Sequence, residues 1–357
     1  MVTTQTQSLP HPFFDQRVGS TAVITNLDGP CVGLSEGLAD FIVTVRETTS
    51  KSIVIIVPDS ARVTPAFDRL TEVAGCVVLV REKAGLRGLH SGRWSRRITD
   101  FLSVPVAATL TSKAFFAVPP LTDVLDLSIS IYHPPRATTV LGRVIELIGD
   151  RLLPGAGLGW GRYEPAGAPW DRDRLTELAR EHMPEAHMVV AAHDDDGGVA
   201  TGTLTASRTT NGLEEYVELS VVPSPSLPRE AWAARVCDLF EDLGANLKPQ
   251  FALATRSLGH PDACLPLTLR TAPTPLAILI GAPGIKQLGV NAGQIASAHG
   301  GTTVGRGRRR GLLVPLETGR TGDWSALAPL LASLDGGTGR LARVLESGTQ
   351  DRGPHAP

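Results

Sequence analysis

The sequence predicts an αβ protein of two domains, in which an α/β N-terminal layer is followed by an α+β domain with antiparallel hairpins. Between residues 20 and 82, short apolar runs alternate with helical patterns, an order that favours a partly parallel sheet. Beyond residue 155, short strand patterns are separated by turn signals, which is typical of antiparallel hairpins. The length of 357 residues also fits two domains, since a domain usually has roughly 100–200 residues.

The predicted N-terminal domain covers residues 18–154 and begins with strands and a helix. The run "STAVITNLDGPCVGLS" predicts two strands, or a strand and a turn, around Asn26 to Pro30. Ser35 is a suitable N-cap for the next helix, whose apolar residues recur at helical spacing: Leu38, Phe41, Ile42 and Val45. The run "KSIVIIVPDS" then predicts a strand that is buried on both faces.

A second helix and two further strands complete this domain. Thr64 is placed to cap the helix, Pro65 takes its first position and Gly75 ends it. "CVVLVRE" predicts another buried strand, and "LSISIYHPP" (127–135) predicts a strand with alternating polarity. "ATTVLGRVIELIGDRLLPG" predicts an amphipathic helix that ends at Pro154 and Gly155. Residues 1–17, which are polar with two prolines, are expected to form a flexible arm.

The predicted C-terminal domain covers residues 155–335. Turn signals at Asp195 to Gly198 and at Asn211-Gly212 separate short strands, and Asn-Gly between strands is a strong hairpin signal. "REAWAARVCDLFEDLGANLKP" predicts a helix, and "FALATRS" and "LAILIGAP" predict strands. A short helix, "WSALAPLLASL", precedes a polar tail at residues 336–357.

Composition and charge exclude several classes of protein. The formal net charge is −2 and the pI is about 6.5, which gives no general attraction to nucleic acid or to anionic lipid. No apolar run approaches the roughly 20 residues that span a bilayer. The N-terminus lacks a basic segment followed by an apolar core. The sequence therefore predicts a cytoplasmic protein without membrane insertion and without a nucleic-acid partner.

Four cysteines are far apart in the sequence: Cys31, Cys76, Cys237 and Cys264. None has C-x-x-C spacing, and three lie in apolar surroundings. Buried thiols are therefore favoured over disulfides or a metal site.

The segment "GAGLGWGRYEPAGAPWDRDRLTELAREH", residues 155–182, raises the possibility of a phosphate-binding loop. Its glycines fall at every second position, a helix precedes it, and no Gly-Lys-Ser/Thr follows, so the dinucleotide and Walker patterns both fail. We interpret it as an interdomain hinge that ends in a helix capped by Asp171. Trp170 and Leu175 are placed to form a hydrophobic staple across that cap.

Several residues are candidates for interaction or structural roles. Trp160 and Trp170 are interpreted as packing anchors rather than base-stacking platforms. Glu164 is a candidate catalytic acid, although an acid in a loop is usually solvated or accepts from a backbone amide. Arg306, Arg308, Arg309 and Arg310 form a basic cluster, for which a solvated loop is an equal alternative.

One strand pattern, "LEEYVELS", contains three acids with two expected orientations. Glu214 and Glu218 lie on one face of the strand, where paired acids can carry out acid–base chemistry, although an exposed polar face is the simpler interpretation. Glu215 lies on the apolar face and is expected to have a partner. No catalytic residue, cofactor or metal site is predicted: "HDDDGG" lacks calcium-loop spacing, and Lys286 follows a strand without a Walker pattern.

Many short motifs in one order resemble an actinobacterial family that carries a domain-of-unknown-function label. They include "IVPDSARVTPAFDRL", "SGRWS", "GLGWGRYEPAGAPWDRDRLTELAR" and "TPLAILIGAP", and the resemblance runs from Thr21 to Glu317. Members of this family are similar to proteins encoded near type VII (ESX-like) secretion genes. One departure is Arg87, which stands where an acid is expected from the family pattern.

The resemblance implies a non-enzymatic cytosolic accessory protein of an actinobacterial type VII secretion system. Such an adaptor or substrate chaperone would bind a secretion component or a secreted substrate. The first alternative is an immunity-type or other protein-binding module. The second is an enzyme acting on a phosphorylated or peptide substrate through the Glu164 loop or the Lys286 turn.

Overall fold

The computed structural model describes residues 11–103, 110–210, 212–305, 310–336 and 339. It has a six-stranded sheet near the N-terminus and a ten-stranded sheet that contains most of the remaining strands, which confirms the predicted mixed αβ class. We refer to the elements before residue 122 as the N-terminal unit and to those from residue 122 onward as the C-terminal unit.

The N-terminal unit has a central parallel part in which β2, β4 and β6 are neighbours, with antiparallel strands at its edges. Its elements are β1 (Gln16–Val18), β2 (Ala22–Asn26), β3 (Cys31–Val32), α1 (Glu36–Thr48), β4 (Ser52–Pro58), β5 (Arg62–Val63), α2 (Pro65–Val73), β6 (Val77–Glu82), β7 (Gly85–Gly88) and β8 (Trp94–Ser95).

Both helices of this unit begin as the sequence predicts. The Ser35 hydroxyl accepts from the Leu38 N–H (3.3 Å), and the Thr64 hydroxyl accepts from the Phe67 N–H (3.1 Å). The expected flexible arm is different in its second half. Phe13 and Phe14 pack against the core, and Gln16–Val18 pairs with β2, because two apolar side chains give this segment a surface to bury.

The C-terminal unit is an antiparallel sheet ordered β11-β10-β12-β13-β14-β9-β15-β16-β18-β17. Its elements are β9 (Thr122–His133), α3 (Arg143–Leu152), β10 (Gly157–Gly161), β11 (Ala168–Pro169), α4 (Arg172–Glu181), β12 (Glu185–His193), β13 (Val199–Thr209), β14 (Gly212–Val222), α5 (Trp232–Asn246), β15 (Pro249–Gly259), β16 (Thr274–Ile280), α6 (Ala282–Leu288), α7 (Ala292–Ala298), β17 (Thr302–Val304), β18 (Gly311–Pro315) and α8 (Leu327–Asp335).

The pairing of β9 differs from the sequence expectation. That strand was expected in the N-terminal domain, but it lies between β14 and β15 in the middle of the ten-stranded sheet. Its alternating pattern indicates a strand without indicating a partner, and two long neighbours satisfy its hydrogen bonds on both sides. The predicted domain boundary at residue 154 remains a prediction, while β9 and α3 pack with the elements that follow it.

The hairpin prediction is confirmed, and the hinge prediction is wrong. The strands β13 and β14 pair from Val199↔Val222 to Thr209↔Gly212, although Asn211 itself lies outside the described residues. The glycine-rich stretch at Gly157–Gly161 is the strand β10, which pairs with β12 along its whole length. Its extended backbone is satisfied within the sheet, so it does not serve as a free linker.

The two faces of the large sheet are covered by different elements. Helices α3 and α5 pack in the main core, which also contains Val217 and Leu219 of β14. Glu218 therefore points to the opposite face, where its carboxylate pairs with Arg69 of α2 (2.9 Å). At the end of the sheet that holds β16 and β18, helices α6 to α8 enclose a separate apolar cluster. Within the described residues, no helix has the length and hydropathy needed to cross a membrane.

Candidate functional site

The candidate site is a groove where the N-terminal unit meets the edge region of the large sheet. It has a volume of about 230 Å³. The N-terminal unit supplies apolar side chains: Leu34, Ala39, Ile42, Val43, Leu70 and Ala74. The C-terminal unit contributes a more polar wall: Arg162, Tyr163, Leu178, His182, Glu185, Ala186, His187 and Met188.

The groove has a buried floor and an exposed apolar rim. Leu34 and Met188 are buried, whereas Val43 on α1 is 51% exposed. An exposed valine beside further apolar side chains marks a surface that can bury area against a partner. Side chains from both units line this open space.

Polar side chains on the wall from the C-terminal unit are held by contacts with their neighbours. The His187 ring contacts the Thr205 hydroxyl through Nδ1 (3.0 Å) and the Glu185 carboxylate through Nε2 (3.2 Å). Arg162 is exposed and stacks over the Tyr163 ring at 5.3 Å. The rim thus presents one cation at the side of an apolar depression.

Glu164, which follows the groove residue Tyr163, joins the two units. Its Oε2 atom accepts from the Leu34 N–H (2.6 Å) and from the Thr64 hydroxyl (2.7 Å). Burial raises the pKa of Glu164, and the two hydrogen bonds lower it by less. Gly33 leaves room for the carboxylate, since a Cβ there would lie 2.8 Å from Oε2. Glu164 therefore accepts from a backbone amide, which is one of the roles that the sequence suggests.

The two tryptophans of the glycine-rich segment lie inside the C-terminal unit. Trp160 is 8% exposed in the main core, and its indole N–H donates to the Pro169 carbonyl (3.0 Å). Trp170 is partly buried against the same core and donates to Glu146 (3.2 Å). Asp171 caps α4 as the sequence predicts, accepting from the Asp173 and Arg174 amides. These contacts are those of packing anchors.

Glu215 has the partners that its apolar-face position requires. It is 1% exposed, and its carboxylate contacts His133 Nε2 (2.7 Å) and accepts from the Gly142 N–H (2.8 Å). Gly142 is the N-cap of α3 and has a φ of 87°, so a carboxylate from β14 satisfies an amide at the helix start. The role of Glu215 is to connect β9, β14 and α3.

The two acids that share the other face of β14 have separate partners. Glu214 accepts from the Ser130 hydroxyl (2.6 Å), while Glu218 pairs with Arg69 and accepts from the Tyr216 hydroxyl (3.1 Å). The same sheet face holds Asp126, which accepts from Ser220 (2.7 Å) and Ser257. These contacts join neighbouring strands of the sheet to one another and to α2. Each of the three carboxylates therefore has its own hydrogen-bond or ion-pair partner.

The connection between β15 and β16 crosses to the N-terminal unit. Leu265 exchanges backbone hydrogen bonds with Val63, and Leu267 is buried in the N-terminal core. Arg87 is 2% exposed and donates to the Leu267 carbonyl (2.6 Å) and to Glu82 (2.8 Å). The arginine at the position where an acid is expected from the family pattern therefore fixes this crossing segment.

The remaining sequence candidates lie away from the groove. Arg306, Arg308 and Arg309 fall outside the described residues, and Arg310 is exposed immediately before β18. Lys286 is exposed on α6, a helix with Pro283 in its first turn. Across the described ranges, no group of three or more His, Cys, Asp or Glu side chains is arranged to hold a metal ion.

Sequence reasoning did not find the groove. Its walls come from residues 34–74 and 162–188, which no short motif spans. The nearest signal is the Gly-Arg-Tyr-Glu-Pro run at the end of β10, because it places Arg162 and Tyr163 in the lining of the groove.

An αβ protein with a wide antiparallel sheet and a docked α/β unit is the class that these observations define. The family model "DUF6177, C-terminal domain" matches residues 124–336, and the chain belongs to this family. The matched segment begins within β9, in agreement with the pairing of that strand.

Among solved structures, the chain is similar to the "Pseudomonas aeruginosa T6SS protein PA0821". The TM-score is 0.36 and the identity is 14%, over 60% of this chain and 77% of that chain. No curated protein matches the chain.

Proposed function

We propose that the chain is a non-enzymatic accessory protein of a type VII secretion system, an adaptor or substrate chaperone, that binds a partner helix in the groove between its units. The observation that carries the proposal is the half-exposed Val43 on the rim of an apolar groove. The motif resemblance to a family found with type VII secretion genes supports the secretion part of the proposal.

The size of the groove favours side chains of a protein over a cofactor. Small-molecule sites usually measure about 300–1,000 Å³, and this groove is smaller, at about 230 Å³. A few apolar anchors inserted in a pocket can supply most of the energy of a protein interface.

The elements around the groove favour a helical partner. Helices α1, α2 and α4 contribute Val43, Leu70 and Leu178 to its lining, and an amphipathic helix can lie against such a surface through residues spaced three and four apart. The exposed Arg162 adds a cation at the rim. The proposed partner is therefore an amphipathic helix with an acidic residue beside its apolar face.

The test compares two exposed valines of the same unit. Val43→Glu puts a charge on the groove, while Val73→Glu is the matched control, because Val73 is 59% exposed on α2 and does not line the groove. Tagged wild type and both variants are used to recover binding proteins from cells that encode the chain. We expect wild type and Val73→Glu to retain the same type VII components or helical substrates, and Val43→Glu to retain roughly tenfold less, since a charge is desolvated on binding.

The outcomes separate the proposal from its alternatives. Circular dichroism of each variant checks that the fold is intact. Recovery of no secretion protein by the wild type, under conditions that preserve known secretion complexes, overturns the secretion role. Equal recovery by Val43→Glu and wild type overturns the groove as the docking site.

The immunity-type alternative has one structural observation in its favour. The turn between β12 and β13 exposes Asp195 and Asp196, and Asp194 holds it by accepting from the Gly198 N–H (2.6 Å). An acidic turn of this kind could enter a basic site on a toxin. Rescue of growth from a co-encoded toxin, lost on replacing both exposed aspartates with asparagine, would favour this function over the secretion role.

A further inference from the structure

Two thiols from the different units face each other across the boundary. Cys31 lies in β3 and Cys264 in the connection between β15 and β16, and their Sγ atoms are 3.5 Å apart although 233 positions separate them in sequence. Cys31 is exposed and Cys264 is buried. All four cysteines are free thiols, as the sequence favours, but their spacing does not indicate this pair, because only the fold brings Cys31 and Cys264 together.

The backbone on both sides of the thiols is held by other contacts. The strand β3 pairs with β5, and Val63 of β5 accepts from the Leu265 N–H (2.7 Å). Arg62 beside it pairs with Asp262 (3.2 Å). A disulfide has an S–S distance of about 2.0 Å, so rotation of the two side chains is the movement that would close the remaining gap.

We propose that Cys31 and Cys264 form a peroxide-sensitive modification site, whose oxidation links the two units by a disulfide. The Cys31 thiolate attacks a peroxide oxygen, which breaks the O–O bond and gives a sulfenic acid and, after protonation, one water. Cys264 then attacks the Cys31 sulfur. The S–S bond forms, the S–O bond breaks, and the proton of the Cys264 thiol leaves with the hydroxyl as a second water. Each sulfur gives up one electron, and the peroxide accepts both.

The surroundings assign different roles to the two cysteines. Cys31 is accessible to a dissolved oxidant. Burial strongly raises the pKa of the Cys264 thiol, and the neighbouring Cys31 and Asp262 raise it further. Accessibility makes Cys31 the first thiol to be oxidised, and the Cys264 sulfur, 3.5 Å away, is positioned to resolve it by passing its proton to the departing hydroxyl as it attacks.

The other two cysteines provide controls. Burial raises the pKa of Cys76 to about 11, with the Arg46 charge opposing it. Burial also raises the pKa of Cys237, and the nearby Glu241 and Asp238 charges add to it. Cys237→Ser therefore removes a thiol that the proposed step does not use.

The experiment treats the reduced full chain with hydrogen peroxide and analyses a non-reducing digest by mass spectrometry. We expect a linked peptide containing Cys31 and Cys264, a fall from four free thiols to two, and reversal by dithiothreitol. Cys237→Ser should form the link as the wild type does, whereas Cys31→Ser and Cys264→Ser should not. The oxidised wild type should unfold several degrees higher than the reduced form, because the link closes a long loop of the unfolded chain.

Three results would overturn the proposal. The first is conversion of Cys31 to sulfinic or sulfonic acid without a linked peptide. The second is a disulfide between the Cys31 residues of two copies, seen as a dimer on a non-reducing gel. The third is oxidation of Cys76 or Cys237 ahead of Cys31. These results concern the thiols alone, so they leave the proposed partner groove unaffected.

Discussion

At the scale of single residues, Glu164 shows how a loop acid is used for structure. One carboxylate oxygen accepts from the Leu34 amide and the Thr64 hydroxyl, both of which belong to the other unit. The Thr64 hydroxyl in turn accepts from the Phe67 N–H and caps α2. A single oxygen thus connects the loop after β10 to a helix start about one hundred positions away.

Replacement of Glu164 should separate its charge from its hydrogen bonding. Because both donors use the same oxygen, the amide oxygen of Glu164→Gln can accept both bonds, whereas Glu164→Ala leaves the two donors unsatisfied. We expect Glu164→Ala to lower the free energy of unfolding by about 1–3 kcal/mol. Urea unfolding at neutral pH measures this difference, and equal losses for Gln and Ala would contradict it.

The raised pKa of Glu164 also predicts how the stabilities of wild type and Glu164→Gln depend on pH. A raised folded-state pKa means that the folded chain binds the proton more tightly than the unfolded chain does. That contribution is fully present below the ordinary carboxyl pKa of 4.5 and is lost as pH rises through the folded value. Glu164→Gln should therefore be at least as stable as wild type near pH 7, and the two should converge below about pH 4. Thermal unfolding midpoints of both proteins, measured between about pH 4 and pH 7, test the sign of this stability difference.

At the scale of elements, β10 shows why a glycine-rich run can be a strand. Gly159 pairs with Ala191 of β12 on one side and with Pro169 of β11 on the other. The loop between β10 and β11 passes close to its backbone. A Cβ at Gly159 would lie 2.5 Å from the Ala166 carbonyl oxygen, whereas a Cβ at Gly157 would lie 3.7 Å from its nearest neighbour. Close backbone approach is therefore a sufficient physical reason for the glycine at position 159.

Two alanine substitutions in this strand should therefore differ. Gly159→Ala forces backbone atoms apart and is expected to lower the free energy of unfolding by roughly 1–3 kcal/mol. Gly157→Ala meets ordinary contact distances and should change it by less than about 0.5 kcal/mol. Denaturant unfolding of the two variants measures both values. A neutral Gly159→Ala would mean that the loop at Ala166 moves freely.

At the scale of the whole molecule, each of the two units packs a segment of its chain against the other unit. The N-terminal unit receives Leu265 and Leu267 in its core, and α2 lies on the polar face of the large sheet. Arg270 adds an ion pair to Asp68 of α2 (2.8 Å). The fold of the N-terminal unit is therefore completed by residues of the C-terminal unit.

The crossing segment offers a matched pair of leucines to test this dependence. Leu267 is 5% exposed and Leu269 is 51% exposed. Leu267→Ala should lower the free energy of unfolding by about 2–5 kcal/mol through a cavity in the N-terminal core, while Leu269→Ala should stay within about 0.5 kcal/mol. Hydrogen exchange should show the loss in β4, in the N-terminal unit. Loss of protection confined to the C-terminal unit would contradict a shared core.

Most individual elements could be predicted from the sequence, because the signals that specify them are local. Ser35, Thr64 and Asp171 cap helices within three residues of their own position, and the alternation in β14 assigns Glu215 to the buried face. The family resemblance was likewise carried by short motifs, and the match at residues 124–336 places the chain in a domain-of-unknown-function family.

The tertiary structure decided which of these elements meet. Nothing local distinguishes β9 as a partner of β14 and β15, since strand alternation repeats every two residues whatever the neighbour. The groove, the Glu164 contacts and the Cys31–Cys264 pair all join positions far apart in the sequence. The sequence by itself determined the local elements and their buried faces, whereas the contacts between the units depend on long-range packing that no short pattern encodes.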